Sequence, residues 1–122
     1  MKVLVADDSG LMRHVLVKIL TEAGVESVVQ ATNGNEAVQK VEDEAPDLVL
    51  MDWVMPNMTG IEAVEKIRAS GNKVPIIMCT TEGEQNRIVD AIKAGANNFV
   101  VKPFDAKVIM EKVKETLTQV SS

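Results

Sequence analysis

At 122 residues the chain has room for one compact domain with a core but not for a second folding unit, so a separate output domain is not expected. An apolar share of 46% and a charged share of 25% exclude a disordered or fibrous protein, and two Phe, one Trp and no Tyr leave an aliphatic core. A formal net charge of −5 opposes non-specific attraction to nucleic acid or to an anionic membrane, so the expected partners are proteins. No apolar run approaches membrane-spanning length, and Asp7 and Asp8 interrupt the N-terminal stretch before a secretory h-region can form. Cys79 has no second cysteine to pair with, which fits a reducing cytoplasm.

In chain order, Val3-Leu4-Val5-Ala6 is a short strand-like run, followed by Leu11, Met12, Val15, Leu16, Ile19, Leu20 and Ala23 at helical spacing and closed by Gly24. Asp8 or Ser9 is placed to cap this helix. Ser27-Val28-Val29-Gln30 is a second, more polar strand, and Asn33, three residues before Glu36, opens a second helix. Leu48-Val49-Leu50-Met51 is the third strand, after which Thr59 and Glu62 repeat the capping spacing. Ile76-Ile77-Met78-Cys79 is the fourth, with Ile88, Ala91 and Ile92 as the apolar stripe of its helix and Gly95 as the stop. Phe99-Val100-Val101 is the fifth, and a last helix ends the chain. All strands but the second lack a polar face and read as buried on both sides. Five β-α pairs predict a single α/β domain over 1–122, doubly wound: parallel strands need crossovers, and right-handed crossovers lay helices on both faces.

Ligands of such sheets collect beyond the carboxyl ends of the strands, and four of the five ends are chemically distinctive. Asp7 and Asp8 follow the first, Asp52 the third, Thr80 and Thr81 the fourth, and Lys102-Pro103 the fifth. If the first and third strands are neighbours, a spacing of about 4.8 Å gathers three carboxylates whose repulsion calls for a cation. An all-oxygen set of this kind suits Mg²⁺, which keeps coordination positions for phosphate oxygens. Lys102 can then neutralise phosphate charge and the Thr80 hydroxyl can donate a hydrogen bond to a phosphate oxygen. Taken singly, each residue has an ordinary reading: a helix cap for Asp7 or Asp8, a turn residue for Asp52, a solvated Lys102. Their joint occurrence at strand ends is what argues for a site.

At these residues the chain resembles the response-regulator receiver family over its full length. The likeness rests on Val5-Ala6-Asp7-Asp8-Ser9, on the segment from Met51 to Gly60, on Thr80, and on the segment from Gly95 to Phe104. It is most similar to the family's single-domain chemotaxis members. The resemblance implies a flavodoxin-like fold with strand order 2-1-3-4-5 and assigns roles. Asp52 is the phosphoacceptor; Asp8, Asp52 and the Val54 backbone carbonyl hold Mg²⁺, with Asp7 acting mostly through bound water; Thr80 and Lys102 grip the phosphoryl group. The Lys102-Pro103 bond is expected to be cis. A sensor histidine kinase, CheA-like, is the implied phosphodonor, and a flagellar motor switch protein is the implied downstream target of a cytoplasmic monomer. The chain is then a phosphoacceptor switch with phosphotransfer and autodephosphorylation activity rather than an enzyme with a separate substrate.

The family's switch pairs the phosphate-sensing hydroxyl with an aromatic on the fifth strand, here Thr80 and Phe99. Where tyrosine is common Phe99 has no hydroxyl, so packing has to carry the signal. The implied output face is the fourth helix, fifth strand and fifth helix, including Gln85, Ile88, Phe99, Lys107, Val108 and Lys112. Val54 and Glu82 flank the acceptor where they can set the lifetime of the phosphoryl group, Val54 being unable to position a water by hydrogen bonding. His14 lies off the buried stripe and reads as a surface residue. Met55 and Met58 are expected to pack the loop after the third strand, and Trp53 to be a partly exposed neighbour of the site. Three readings compete: a receiver serving another pathway or phosphorelay, a receiver-fold adaptor that never uses phosphate, and a Mg²⁺-dependent aspartyl-phosphate hydrolase. The last is disfavoured because Val54 replaces the expected second acid and no residues are left for a substrate cap. A nucleotide switch is disfavoured because no phosphate-binding glycine motif occurs.

Overall fold

Each short apolar run becomes a strand and each amphipathic stretch a helix in the computed structural model, which describes residues 1–81 and 87–121. The order is β1 (Lys2–Ala6), α1 (Gly10–Glu22), β2 (Ser27–Ala31), α2 (Gly34–Glu44), β3 (Leu48–Asp52), α3 (Gly60–Ala69), β4 (Ile76–Thr80), α4 (Ile88–Ala94), β5 (Asn98–Val101) and α5 (Ala106–Ser121). All pairings are parallel, and the sheet order is β2-β1-β3-β4-β5. The chain reverses direction of winding between β1 and β3, which are adjacent although β2 lies between them in sequence.

Alternation along the strands sends residues to two separate cores. Val3, Val5, Leu48, Leu50, Ile77, Cys79 and Val100 meet Leu16 and Leu20 of α1 and Ile109 and Val113 of α5. Leu4, Ala6, Val49, Met51, Ile76 and Met78 meet Ala37 and Val41 of α2, Ala63, Val64 and Ile67 of α3, and Ala91 of α4. Every residue of β3 and β4 is buried, as central parallel strands require. At about 25 cal/mol per Å² of apolar surface, this two-sided burial is the dominant stabilising contribution.

Local signals act as expected at several helix ends. The Ser9 side chain accepts the Met12 N–H, Asn33 accepts that of Glu36, and Thr59 with Glu62 forms a reciprocal capping box. Gly95 ends α4 in the left-handed region at φ 119°, where a side chain is disfavoured. Glu36 departs from the box expected with Asn33, since its carboxylate turns to the backbone N–H and hydroxyl of Thr32.

Burial corrects the sequence reading in four places. Leu11, Val15 and Ala23 of the α1 stripe are exposed, because the helix turns only its Leu16 and Leu20 side fully onto the sheet. Ile92 of the α4 stripe is exposed, and Ala91 is the residue of that helix buried in the α2/α3/α4 core. β5 is an edge strand whose Phe99 and Val101 are half-buried, not covered on both faces. Trp53 is buried at 2% exposure, where a partly exposed side chain was expected. Cys79 is a buried core thiol, and Met55 and Met58 pack the loop after β3 as the sequence suggests.

Candidate functional site

Strand register builds the site. Ala6 pairs with Met51, so the next residues, Asp7 and Asp52, come level at the carboxyl edge of adjacent strands. Asp52 pairs with Cys79 and Thr80 with Val101, which brings Lys102 to the same edge from the far side. Asp52 and Thr80 are the last residues of their strands rather than the first beyond them. A period of two places Asp7 after Val3 and Val5, Asp52 after Leu48 and Leu50, and Lys102 after Val100, all on the α1/α5 side. Thr80 follows Ile76 and Met78 on the other side, which Phe99 shares.

Asp7, Asp8 and Asp52 each offer a carboxylate oxygen within 4.8 Å of the others, a set that can hold a metal ion. Asp7 and Asp52 are buried while Asp8 is exposed, so the cluster opens to solvent on one side only. The Lys102 ammonium donates to Asp52 Oδ1 at 2.8 Å and lies 3.4 Å from Asp7 Oδ2. The other Asp7 oxygen accepts the Ser9 N–H at 2.8 Å, the Asp7 N–H bonds to the Ala31 carbonyl, and the Asp7 carbonyl accepts from Arg13 at 2.6 Å. The Lys102-Pro103 peptide is cis, as the resemblance implied. Gly60 packs against the backbone of Asp52 and Trp53: its N–H bonds to the Trp53 carbonyl at 2.8 Å, and a Cβ there would collide with the Asp52 carbonyl oxygen.

Burial pushes the Asp52 carboxyl up to about 6 from 3.8; the Lys102 hydrogen bond and charge pull it down and Asp7 adds to the rise. Burial alone would lower Lys102, but its bond to Asp52 and the charges of Asp52 and Asp7 outweigh this and hold it above the usual lysine value. Asp52 is thus ionised at neutral pH, beside a fixed cation. Neighbouring Cys79 is pushed up to about 12 by burial and stays a neutral thiol.

Of the other residues singled out in the sequence, Thr80 is fully buried with its hydroxyl donating to the Thr81 carbonyl at 2.8 Å. Phe99 lies on the edge strand, its ring 5.3 Å from the Lys112 ammonium. Val54 is exposed two residues after Asp52, and Ile88, Lys107, Val108 and Lys112 lie on the half-exposed to exposed surface of α4 and α5. His14 is exposed on α1. Glu82 and Gln85 lie outside the described residues.

The model of the response regulator receiver domain matches residues 3–114. The chain belongs to this family. The receiver domain is 43% identical over 116 residues to the chemotaxis protein CheY of Bacillus subtilis, covering 95% of this chain and 97% of the relative. CheY1 of Helicobacter pylori is 44% identical over 120 residues, with 96% and 97% covered. Among solved structures, CheY4 of Vibrio cholerae superposes with a TM-score of 0.86 at 33% identity, covering 94% of this chain and 97% of that one. The response regulator domain of Thermotoga maritima CheB gives 0.87 at 33% identity, with 97% and 96% covered. The receiver domain is therefore closely related to CheY, in a family whose members are phosphoacceptor switches phosphorylated by kinases.

Two residues of the receiver site were not singled out in the sequence. Arg13 of α1 holds the Asp7 carbonyl, and Arg87 at the start of α4 lies 5.4 Å over the Trp53 ring. A signal for Arg13 existed, since a cation in the first turns of a helix opposes the helix dipole and needs compensation nearby. Arg87 carried none, because its partner is distant in sequence.

Proposed function

We propose that this receiver domain is a stand-alone response regulator that accepts a phosphoryl group on Asp52 from a CheA-like sensor histidine kinase. Binding would serve chemotaxis through a flagellar motor switch protein. The carrying observation is the juxtaposition of a buried Asp52 with Lys102 at 2.8 Å and two further acids within 4.8 Å. The pathway is supported by the relationship to CheY, over nearly the full length of both chains. We infer a cytoplasmic, monomeric domain spanning 1–122; among the described residues no helix is long and apolar enough to cross a membrane.

In this reading an Asp52 carboxylate oxygen attacks phosphorus, and the donor imidazole leaves with the electrons of the P–N bond. No general base is needed because the carboxylate is already ionised. Asp7, Asp8, Asp52 and the Val54 carbonyl are the residues to hold Mg²⁺, which when bound neutralises charge on the transferred group. Lys102 moves from its bond with Asp52 to an incoming phosphate oxygen, and its elevated affinity for protons keeps it charged throughout. Thr80 gives up its bond to the Thr81 carbonyl and donates to the phosphate instead, vacating space toward Phe99. Phe99, Ile88, Lys107, Val108 and Lys112 form the responding face, and Gln85, expected with them, lies outside the described residues. The acyl phosphate is hydrolysed in place, with Val54 and Glu82 setting the rate. Val54, apolar and exposed, supplies no acid for turnover of a separate phosphoester, which supports a switch over a hydrolase.

Acetyl phosphate with Mg²⁺ should label the chain one to one, and Asp52→Asn should abolish labelling. Label on another residue, or sustained turnover of unrelated phosphoesters, refutes the proposal. Capture of a motor switch protein only by the phosphorylated form supports the pathway; equal capture by Asp52→Asn refutes phosphate-dependent output.

A further inference from the structure

We propose that Arg13 is a positioning residue for the cation site, fixing Asp7 through its backbone carbonyl instead of through its carboxylate. The proposal rests on the reading that Asp7, Asp8 and Asp52 bind Mg²⁺. Arg13 lies in the first turns of α1, whose dipole disfavours a positive charge there. Its side chain folds back over the helix start, with a guanidinium nitrogen 3.6 Å from the position a Cβ on Gly10 would take. Nη1 donates to the Asp7 carbonyl at 2.6 Å and Nε donates to Gln30 Oε1 on β2 at 3.1 Å. Among the described residues it makes no ion pair within 4 Å, so its charge is spent on uncharged oxygens. The backbone N–H of Arg13 meanwhile bonds to the Ser9 carbonyl at 3.0 Å, and the Ser9 N–H holds Asp7 Oδ1. Asp7, Ser9 and Arg13 form a closed ring of contacts around the β1–α1 turn, braced to β2 by Gln30.

That ring leaves the Asp7 carboxylate little freedom. A ligand held in one orientation loses less on metal binding, and groups that orient a ligand from behind commonly change metal affinity by about 10-fold or more when removed. An opposing effect is present, since a guanidinium near three acids repels a dication. The charge is partly exposed and screened by water, while the 2.6 Å bond is part-buried and charge-assisted, so orientation outweighs repulsion. The two effects predict opposite signs, which makes the inference decidable.

The test is a Mg²⁺ titration of the purified full chain at constant ionic strength, followed by the fluorescence of Trp53, the sole tryptophan, and by amide NMR shifts. Arg13→Ala should weaken Mg²⁺ binding by about 10-fold. Arg13→Lys, which keeps the charge and one donor, should recover part of the loss, and Gln30→Ala should lose roughly twofold by freeing the brace alone. His14→Ala, one residue along on the exposed surface, should bind as the unaltered chain does. Circular dichroism checks that each variant is folded, and should Arg13→Ala not fold, Gln30→Ala and Arg13→Lys carry the test. Unchanged or tighter Mg²⁺ binding by folded Arg13→Ala overturns the inference, as does Arg13→Lys no better than alanine. If the unaltered chain binds no Mg²⁺, or Asp52→Asn binds it equally, the reading of the acid cluster fails instead.

Discussion

The two faces of the sheet treat their polar residues differently. On the α1/α5 side, Asp7, Asp52 and Lys102 are locked by short contacts that cross three strands. On the α2/α3/α4 side, Thr80 has its hydroxyl turned to the next carbonyl, and Phe99 sits half-buried on an edge strand. The helices differ likewise: α1 is capped by the Ser9 side chain, while α4 spans only Ile88–Ala94 and has no side-chain cap at Arg87. Charges that stabilise a transition state must be in place beforehand, since reorganising them costs rate. A relay needs two arrangements close in energy, which loosely held groups provide. In the proposed reading the chemistry is therefore built on the rigid face, and the response starts from Thr80 and Phe99 on the adaptable one.

Removing Lys102 strikes the rigid face hardest. Lys102→Met should slow acetyl phosphate labelling by roughly 100-fold or more, the usual cost of losing one preorganised charge. It should also tighten Mg²⁺ binding, because the ammonium 2.8 Å from Asp52 occupies space and charge that a dication would take. Loss of both labelling and Mg²⁺ affinity would mean Lys102 is a structural strut. Rapid-quench labelling and a Mg²⁺ titration distinguish these outcomes.

The buried acceptor also gives the metal-free protein a pH signature. Asp52 titrates at about 6 when folded against 3.8 as a free side chain, so the folded state binds its proton more tightly. The stability this contributes is complete below pH 3.8 and is lost as pH rises through about 6. Its full size is on the order of 3 kcal/mol, and Asp52→Asn should remove this component. Lys102 stays protonated across the whole window and adds nothing to the slope. Urea unfolding in EDTA at pH 5 and pH 7.5 checks the sign: Asp52→Asn should gain most over the unaltered chain at the higher pH. A gain of equal size at both pH values would contradict the buried-carboxylate account.

A smaller effect is expected at the joint between the faces. Gly60→Ala puts a methyl group against the Asp52 carbonyl oxygen and 2.9 Å from Met78 Cε. Shifting this backbone should cost about 1–3 kcal/mol, measured by urea unfolding, and should slow labelling by moving Asp52. Normal labelling in a destabilised variant would show that the Gly60 backbone and the Asp52 carboxylate are mechanically independent.

How much of this was legible in the sequence follows the same division. The alternation of β-branched runs with capped helices predicted the elements, and the acids and lysine stood at strand ends because parallel sheets collect ligands there. Strand adjacency came from family resemblance, since nothing local says that β1 lies beside β3. Periodicity also overstated burial: Leu11 and Val15 satisfy the helical spacing of α1 but overhang the sheet. Trp53 went the other way, buried in the same apolar cluster as Met55 and Met58, with Arg87 at the start of α4 over its ring. Contacts between residues distant in sequence, such as Arg13 with Gln30, leave no local trace.

The smallest effect tests the contact between α5 and the Phe99 of the adaptable face. Lys112 holds its ammonium 5.3 Å from the Phe99 ring, where attraction to the π face is worth about 0.5–1 kcal/mol at an exposed site. Phe99 has no hydroxyl to anchor it, so this contact and the packing against α4 set its preferred position. Lys112→Ala should lower stability by about 0.5 kcal/mol, and a double-mutant cycle with Phe99→Leu should recover a coupling of similar size. Labelling of Asp52 should remain within about twofold, because among the described residues neither Lys112 nor Phe99 shares a hydrogen bond or ion pair with Asp7 or Asp52. If labelling instead fell more than about tenfold, a distant effect of that size would show that the response face helps to shape the acceptor before phosphate arrives. The separation of rigid chemistry from adaptable response would then give way to one coupled unit spanning the sheet.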